Sequence, residues 1–288
     1  MIEEIFEKLL YSLDQQGGEQ WGDRWEGKVA DSLEGLRISY DNLTKSQRQA
    51  IDYSELSTQA AYVFAYAIGR AEFTYQLLKQ HRAALGKPIF ESEEAKITSL
   101  GGGPGSEIAG IVKYLLDPTN GEKVNALKYW VFDKDKHWEH PCSFLIEELS
   151  ELISIELVFD TLDLSDRKAC SKVSLEGDDL LVLSFVISEL CSIPEKNDVL
   201  ECMRGLYKTI DSGSKIFYND SNASSFYYFF NETRKYVTGL GKASQKNECI
   251  QKVAVDLDFG VTYEKYIEDF DATPHLTSDA LSKLLVRV

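Results

Sequence analysis

The chain has 288 residues, 43% of them hydrophobic, which supports a sizeable core in one large domain or one domain with a smaller companion. Its formal net charge of -16 argues against general nucleic-acid binding, which needs a basic face. The five cysteines, Cys142, Cys170, Cys191, Cys202 and Cys249, are odd in number and contain no C-x-x-C pair, which argues against a disulfide framework or zinc site and for a reducing compartment.

The chain opens on Met1-Ile2-Glu3-Glu4, without the basic start of a signal peptide. No apolar run reaches the ~18 residues of a membrane span. These features predict a soluble, cytoplasmic protein. Residues 1–15 read as an amphipathic helix with Ile2, Ile5, Phe6, Leu9, Leu10 and Leu13 on one side. Residues 16–43 are rich in Gly and Asp, hold Trp21 and Trp25, and read as a loop-like connection. Thr44 then caps a helical pattern running to about His81, interrupted at Gly69-Arg70. Residues 83–94 form a polar linker with Gly86 and Pro88, and a boundary is placed near residue 88.

From residue 96 strands and helices alternate, which predicts a parallel sheet. The expected strands are 97–100, 127–132 ending at Asp133, 155–159 ending at Asp160, 179–185 and 215–218, with further candidates at 252–257 and 284–288. The expected helices between them are 105–117, 138–151, 195–211 and 223–238.

One stretch organises the rest. Lys96-Ile97-Thr98-Ser99-Leu100 leads into Gly101-Gly102-Gly103-Pro104-Gly105 and then Ser106-Glu107-Ile108. A buried strand, a glycine turn and a helix start make the nucleotide-binding corner of an open α/β sheet. Ser106 suits a cap, and Glu107 suits the positive end of a helix dipole. Ligands in such sheets bind outside the carboxyl ends of the strands. Asp133 ends the second expected strand, where a carboxylate accepts from both hydroxyls of a ribose. Asp135 is the fallback if that strand ends two residues later.

Gly101-x-Gly103-x-Gly105 after a strand resembles motif I of the class I S-adenosylmethionine (SAM) methyltransferases. Gly101-x-Gly103-x-x-Ser106 also approximates a dinucleotide fingerprint. The methyltransferase resemblance implies a Rossmann-like, doubly wound, mostly parallel seven-stranded sheet. In it the last strand inserts antiparallel between the fifth and sixth. It implies SAM as cofactor, held by Gly101, Gly102, Gly103, Gly105, Asp133 with Lys134, and Asp160-Thr161 on the adenine side. Ser184-Phe185, after the fourth strand, would pass the methionine end. Many relatives carry an acidic residue two before the first motif glycine to orient the SAM amine; here that position is Ser99.

Residues 1–88 are expected to form an N-terminal helical cap or lid over residues 89–288, the SAM-binding domain. Tyr62, Tyr66, Arg70 and Phe73 can share one helical face, and a cap above the glycine turn would bring Arg70 to the methionine carboxylate. Glu189 or Tyr218 is the candidate proton acceptor. The sequence lacks Asn-Pro-Pro-Tyr or Asp-Pro-Pro-Tyr after the fourth strand, H-E-x-x-H and G-x-S-x-G; Pro141-Cys142 follows the second strand. His137 and His140 are i and i+3 with no third ligand evident, so no metal is expected. The leading reading is methyl transfer from SAM to a protein or small-molecule acceptor. A nicotinamide-dependent oxidoreductase and a non-catalytic interaction protein with the same fold are the alternatives.

Overall fold

The computed structural model describes residues 1–43, 51–237, 239 and 257–288, and the backbone of 248–254. In chain order the helices and strands are α1 (Ile2–Trp21), α2 (Trp25–Asp41), α3 (Leu56–Tyr62), a π turn (Val63–Ala67), α4 (Ile68–Leu85) and β1 (Glu94–Leu100). Then come α5 (Ser106–Leu116), β2 (Ala126–Asp133), α6 (Glu139–Ser150), β3 (Ser154–Thr161) and α7 (Arg167–Cys170). After these lie β4 (Leu180–Ser184), α8 (Val186–Ser192), α9 (Lys196–Thr209), β5 (Lys215–Ser221) and α10 (Ser224–Arg234). The chain closes with β6 (Glu248–Ala254), α11 (Val261–Phe270) and β7 (Thr277–Val286). No helix among the described residues is long and apolar enough to cross a membrane.

The strands form one sheet of order β3-β2-β1-β4-β5-β7-β6. The first five in that order run parallel, and β7 runs antiparallel to both β5 and β6. The central strands bury both faces, so each face carries its own core. Ile97, Val182, Phe217 and Leu284 pack under α1, α4, α5, α6 and α11. Leu181, Leu183, Ile216 and Tyr218 pack under α8, α9 and α10.

Several expectations need correction. Residues 16–43 are largely helical. Trp25, Val29 and Leu36 are buried at helical spacing, and Trp25 donates from Nε1 to Asp14 at 2.8 Å. Tertiary burial of these few apolar groups outweighs the poor helix propensity of Gly27 and Gly35. Gly69-Arg70 does not break its helix; the irregularity is the π turn at Val63–Ala67. There Tyr263 donates from its hydroxyl to the Val63 carbonyl at 3.1 Å, and the His275 amide donates to the Ala65 carbonyl at 2.7 Å. Carbonyls displaced from the helical ladder thus find partners elsewhere. Thr44 lies outside the described residues.

The helix α11 was not expected, and β7 begins seven residues before its expected start at 284. Ser278, Asp279, Ser282 and Lys283 disguise that strand. Ser282 is nonetheless fully buried, because His81 Nε2 lies 2.8 Å from its Oγ. Of the expected strand at 252–257, residues 252–254 belong to β6, while Val255 and Asp256 lie outside the described residues. The helix α4 covers part of one sheet face, with Leu77, Leu78 and His81 buried.

Candidate functional site

A cavity of about 690 Å³ opens at the carboxyl ends of β1, β2, β3 and β4. That size suits a drug-sized ligand. Its floor is the turn after β1. Gly101, Gly103 and Gly105 all have positive φ, at 66°, 48° and 86°. A Cβ at Gly101 would stand 2.6 Å from Val186 Cγ2, whereas at Gly103 a side chain would be strained by φ and would project toward Trp138, which lines the cavity.

Asp133 ends β2 beside this turn. It accepts from the Gly103 amide at 2.8 Å through Oδ2 and from the Asp135 amide at 2.9 Å through Oδ1. Burial lifts its pKa to about 6, against the opposing pull of those two amides. Asp135 instead caps the next turn and pairs with His137 at 2.7 Å. Lys134 lines the cavity rim and is paired with Asp163 at 2.8 Å. Thr161 and Leu162 line the wall at the end of β3, and the Leu162 amide donates to the Asp133 carbonyl at 2.8 Å. Asp160 is exposed and accepts from the adjacent Thr161 amide at 2.7 Å.

Ser184 and Phe185 close the far side, after β4. Phe185 has φ of 56°, a strained value for a bulky residue, and its amide donates to the Asn219 carbonyl at 2.8 Å. This turn puts its ring 4.5 Å from the Arg70 guanidinium. Arg70 is only 8% exposed and is ringed further by Tyr40, Tyr62 and Tyr66 at 5.0–5.6 Å. It also donates to the Tyr62 hydroxyl. Burial works against the Arg70 charge, but Tyr62, Tyr40, Glu107 and Glu189 outweigh it and hold the pKa above the ordinary arginine value.

Of the residues singled out from sequence, the fold gathers Arg70, Gly101, Gly103, Asp133, Lys134, Thr161, Ser184, Phe185 and Glu189 around one cavity. Gly102 and Gly105 lie in the same turn but do not line it. Tyr218 is fully buried, stacked on Phe230 with ring centroids 4.1 Å apart, and does not line it either.

Sequence reading missed the roof. Tyr53 and Trp138 pack 5.0 Å apart, Trp138 lies 5.1 Å from Tyr62, and Tyr40 donates to Glu189 at 3.2 Å. Tyr40 lies in the last turn of α2, in the stretch read as a loop, so no helical face pointed it toward the site. The four cysteines with described side chains, Cys142, Cys170, Cys191 and Cys202, are free.

No family model matches the sequence, and no curated protein does. Solved structures do match. An O-methyltransferase family protein from Burkholderia thailandensis aligns over 93% of this chain and 73% of its own, at 9% identity and a TM-score of 0.45. The plantazolicin methyltransferase BpumL, in complex with SAH, aligns over 96% and 100%, at 12% identity and 0.41. The N-methyltransferase NodS from Bradyrhizobium japonicum WM9, in complex with S-adenosyl-L-homocysteine, aligns over 74% and 85%, at 11% identity and 0.42.

Proposed function

We propose that this chain is a SAM-dependent methyltransferase whose acceptor is a small molecule. The observation that carries the reading is Asp133. It is a half-buried carboxylate at the end of β2, lining the cavity and braced by the amide of the glycine turn. A ribose diol needs such an acceptor, and a nucleoside lying on the turn needs the missing side chain at Gly103.

The residues present fit the cofactor. Asp133 would take the ribose hydroxyls, and Thr161 and Leu162 would flank the adenine. Gly101 and Gly103 would admit the chain that joins ribose to methionine, and Arg70 would receive the methionine carboxylate. The bound cofactor would supply an electrophilic methyl group on a sulfonium. Transfer then depends on holding the acceptor in line and excluding water. The aromatic roof of Tyr53, Tyr62 and Trp138 excludes water, and Glu189, on the cavity wall, takes the proton that a neutral nucleophile must lose. The roof favours a small acceptor over a macromolecule, since it leaves about 690 Å³ beneath it for cofactor and acceptor together. In this reading residues 1–88 act as the lid, anchored by α4 and free of a separate core.

Isothermal titration with SAM, S-adenosylhomocysteine and NAD tests the proposal, followed by transfer of a labelled methyl group into small-molecule extracts. Micromolar binding of SAM but not NAD is expected. Binding of NAD alone would replace the reading with the oxidoreductase, and SAM binding without transfer to any acceptor would favour a non-catalytic role.

A further inference from the structure

Two opposite charges are buried beside the cavity: Arg70 lines it, and Glu107 stands in the first turn of α5, directly after the glycine turn that forms its floor. Arg70 is 8% exposed and Glu107 is 4% exposed. They are close enough to act on each other electrostatically, yet among the described residues no ion pair joins them. Buried charges are costly unless paired. Burial lifts the Glu107 pKa to about 7, against the stabilising Arg70 charge. Beneath them lies further unused polarity. Glu107 adjoins Ser184, and Ser184 is in register with Asn219 on β5. Asn219 is fully buried, and neither Oδ1 nor Nδ2 has a partner. Meanwhile Ser99 is already used, since Tyr129 donates to its Oγ at 2.9 Å, and Glu107 acts electrostatically on that same Tyr129.

We infer that Arg70 and Glu107 together receive an α-amino-acid zwitterion, with Glu107 holding the ammonium group in place of the carboxylate absent at Ser99. This rests on the SAM reading and deepens it: the zwitterion is the methionine end of the cofactor. The carboxylate that orients the amine comes from the first turn of α5, one residue after its start at Ser106, and not from the end of β1. Asn219 Oδ1 and Ser184 lie beside it as further acceptors for ammonium protons. A zwitterion between the two charges would neutralise both without water.

The test compares S-adenosylhomocysteine with methylthioadenosine, which has the same nucleoside but no amino-acid end. Both are titrated into the full chain and into Glu107→Gln. We expect Glu107→Gln to weaken S-adenosylhomocysteine by roughly 10- to 100-fold, the range for losing a hydrogen bond to a charged group. Methylthioadenosine affinity should not change. Should Glu107→Gln fail to fold by its thermal melt, Glu107→Asp keeps the charge but shortens its reach, and should show the same selective loss. Equal loss of both ligands, or loss of neither, overturns the role of Glu107 while leaving the SAM site intact. If the wild-type chain binds methylthioadenosine but gains nothing from the amino-acid end, the zwitterion receptor fails alone. If it binds neither ligand, the SAM reading fails first and takes this inference with it. A free amino acid as the true ligand would show instead as methionine binding lost in Glu107→Gln, with no binding of either nucleoside.

Discussion

The amide of Gly103 donates to Asp133 Oδ2 at 2.8 Å, so the glycine turn after β1 and the end of β2 are held as one unit. The bond ties the turn to the end of β2, and the second Asp133 oxygen is held by the Asp135 amide at 2.9 Å, so the carboxylate is fixed at both oxygens. Asp133→Ala should therefore weaken SAM and S-adenosylhomocysteine alike, by about 1.5–3 kcal/mol, the scale of hydrogen bonds to a charged group. Titration calorimetry measures both. If Asp135→Ala weakens them and Asp133→Ala does not, the ribose acceptor has been placed on the wrong residue.

Gly103→Val should abolish SAM binding in a chain that still folds. The φ of 48° strains any β-branched residue, and the new side chain would stand between the turn and Trp138. Circular dichroism and a thermal melt check the fold, and calorimetry checks the ligand. Undiminished SAM affinity would remove the glycine turn from the site.

Cofactor binding should depend on pH in a stated direction. Asp133, at about 6, and Glu107, at about 7, both have pKa values raised by burial, and each serves the ligand best ionised, Asp133 as an acceptor through both oxygens and Glu107 as the counter-charge of an ammonium group. Affinity should be level above about pH 8 and fall as the pH drops through 7 and 6, by up to about tenfold per unit per group. Asp133→Asn should retain only the part centred near 7. A flat profile from 8 to 5.5 would mean that neither carboxylate meets the ligand.

The sheet was legible because buried parallel strands are short apolar runs bounded by turns, and Tyr129–Phe132 and Leu180–Leu183 are such runs. The same rule hid β7, where Ser282 and Lys283 are buried by specific partners that no periodicity reveals. The floor of the cavity was legible for a related reason. Glycines in a turn and carboxylates at strand ends are local signals. The roof was not, because Tyr40, Tyr53 and Trp138 come from three segments distant in the chain and meet only after folding. Glu107 was visible as a helix-start residue, but its proximity to Arg70 depends on how α4 lies across α5.

His81 should make the protein acid-sensitive. It is buried against Ser282, and burial lowers its pKa from 6.5 to about 4. In the unfolded chain it takes a proton near 6.5, so between these values the unfolded state binds more protons. Its contribution is whole above about 6.5 and is lost as pH falls toward 4, up to about 3 kcal/mol. Asp133 and Glu107 act oppositely, since their raised pKa values favour the folded state as they protonate. The comparison is therefore with His81→Gln, whose urea stability should fall less between pH 7 and 4.5 than that of the wild type. Parallel acid limbs would show that His81 is charged in the folded protein.

Gly110 tests whether the N-terminal helices are part of the core. It lies in α5 facing α4, and a Cβ there would stand 2.1 Å from the Ala71 carbonyl oxygen and 2.8 Å from Thr74 Cβ. A backbone oxygen cannot rotate aside, so the two helices would have to separate. Alanine is otherwise the better helix former, by about 1 kcal/mol. Overpacking in a closed interface costs about 1–3 kcal/mol and sometimes more. The close contact should win, and Gly110→Ala should lower urea stability by about 1–2 kcal/mol net. Gly35→Ala in α2 is the control, because nothing lies within 4 Å of its added Cβ. That change should leave stability equal or raise it by up to about 1 kcal/mol. Because α4 also carries Arg70, the shift should reach the site, and Gly110→Ala should lose SAM affinity as well as stability. A chain beginning at residue 89 would lose Phe64, Ile68, Leu77 and Leu78, all fully buried in the core they share with the sheet, and should not fold. If that chain folds and binds SAM as tightly as the whole, or if Gly110→Ala is stabilising, the first 88 residues are a detachable surface and not the lid anchored in the core.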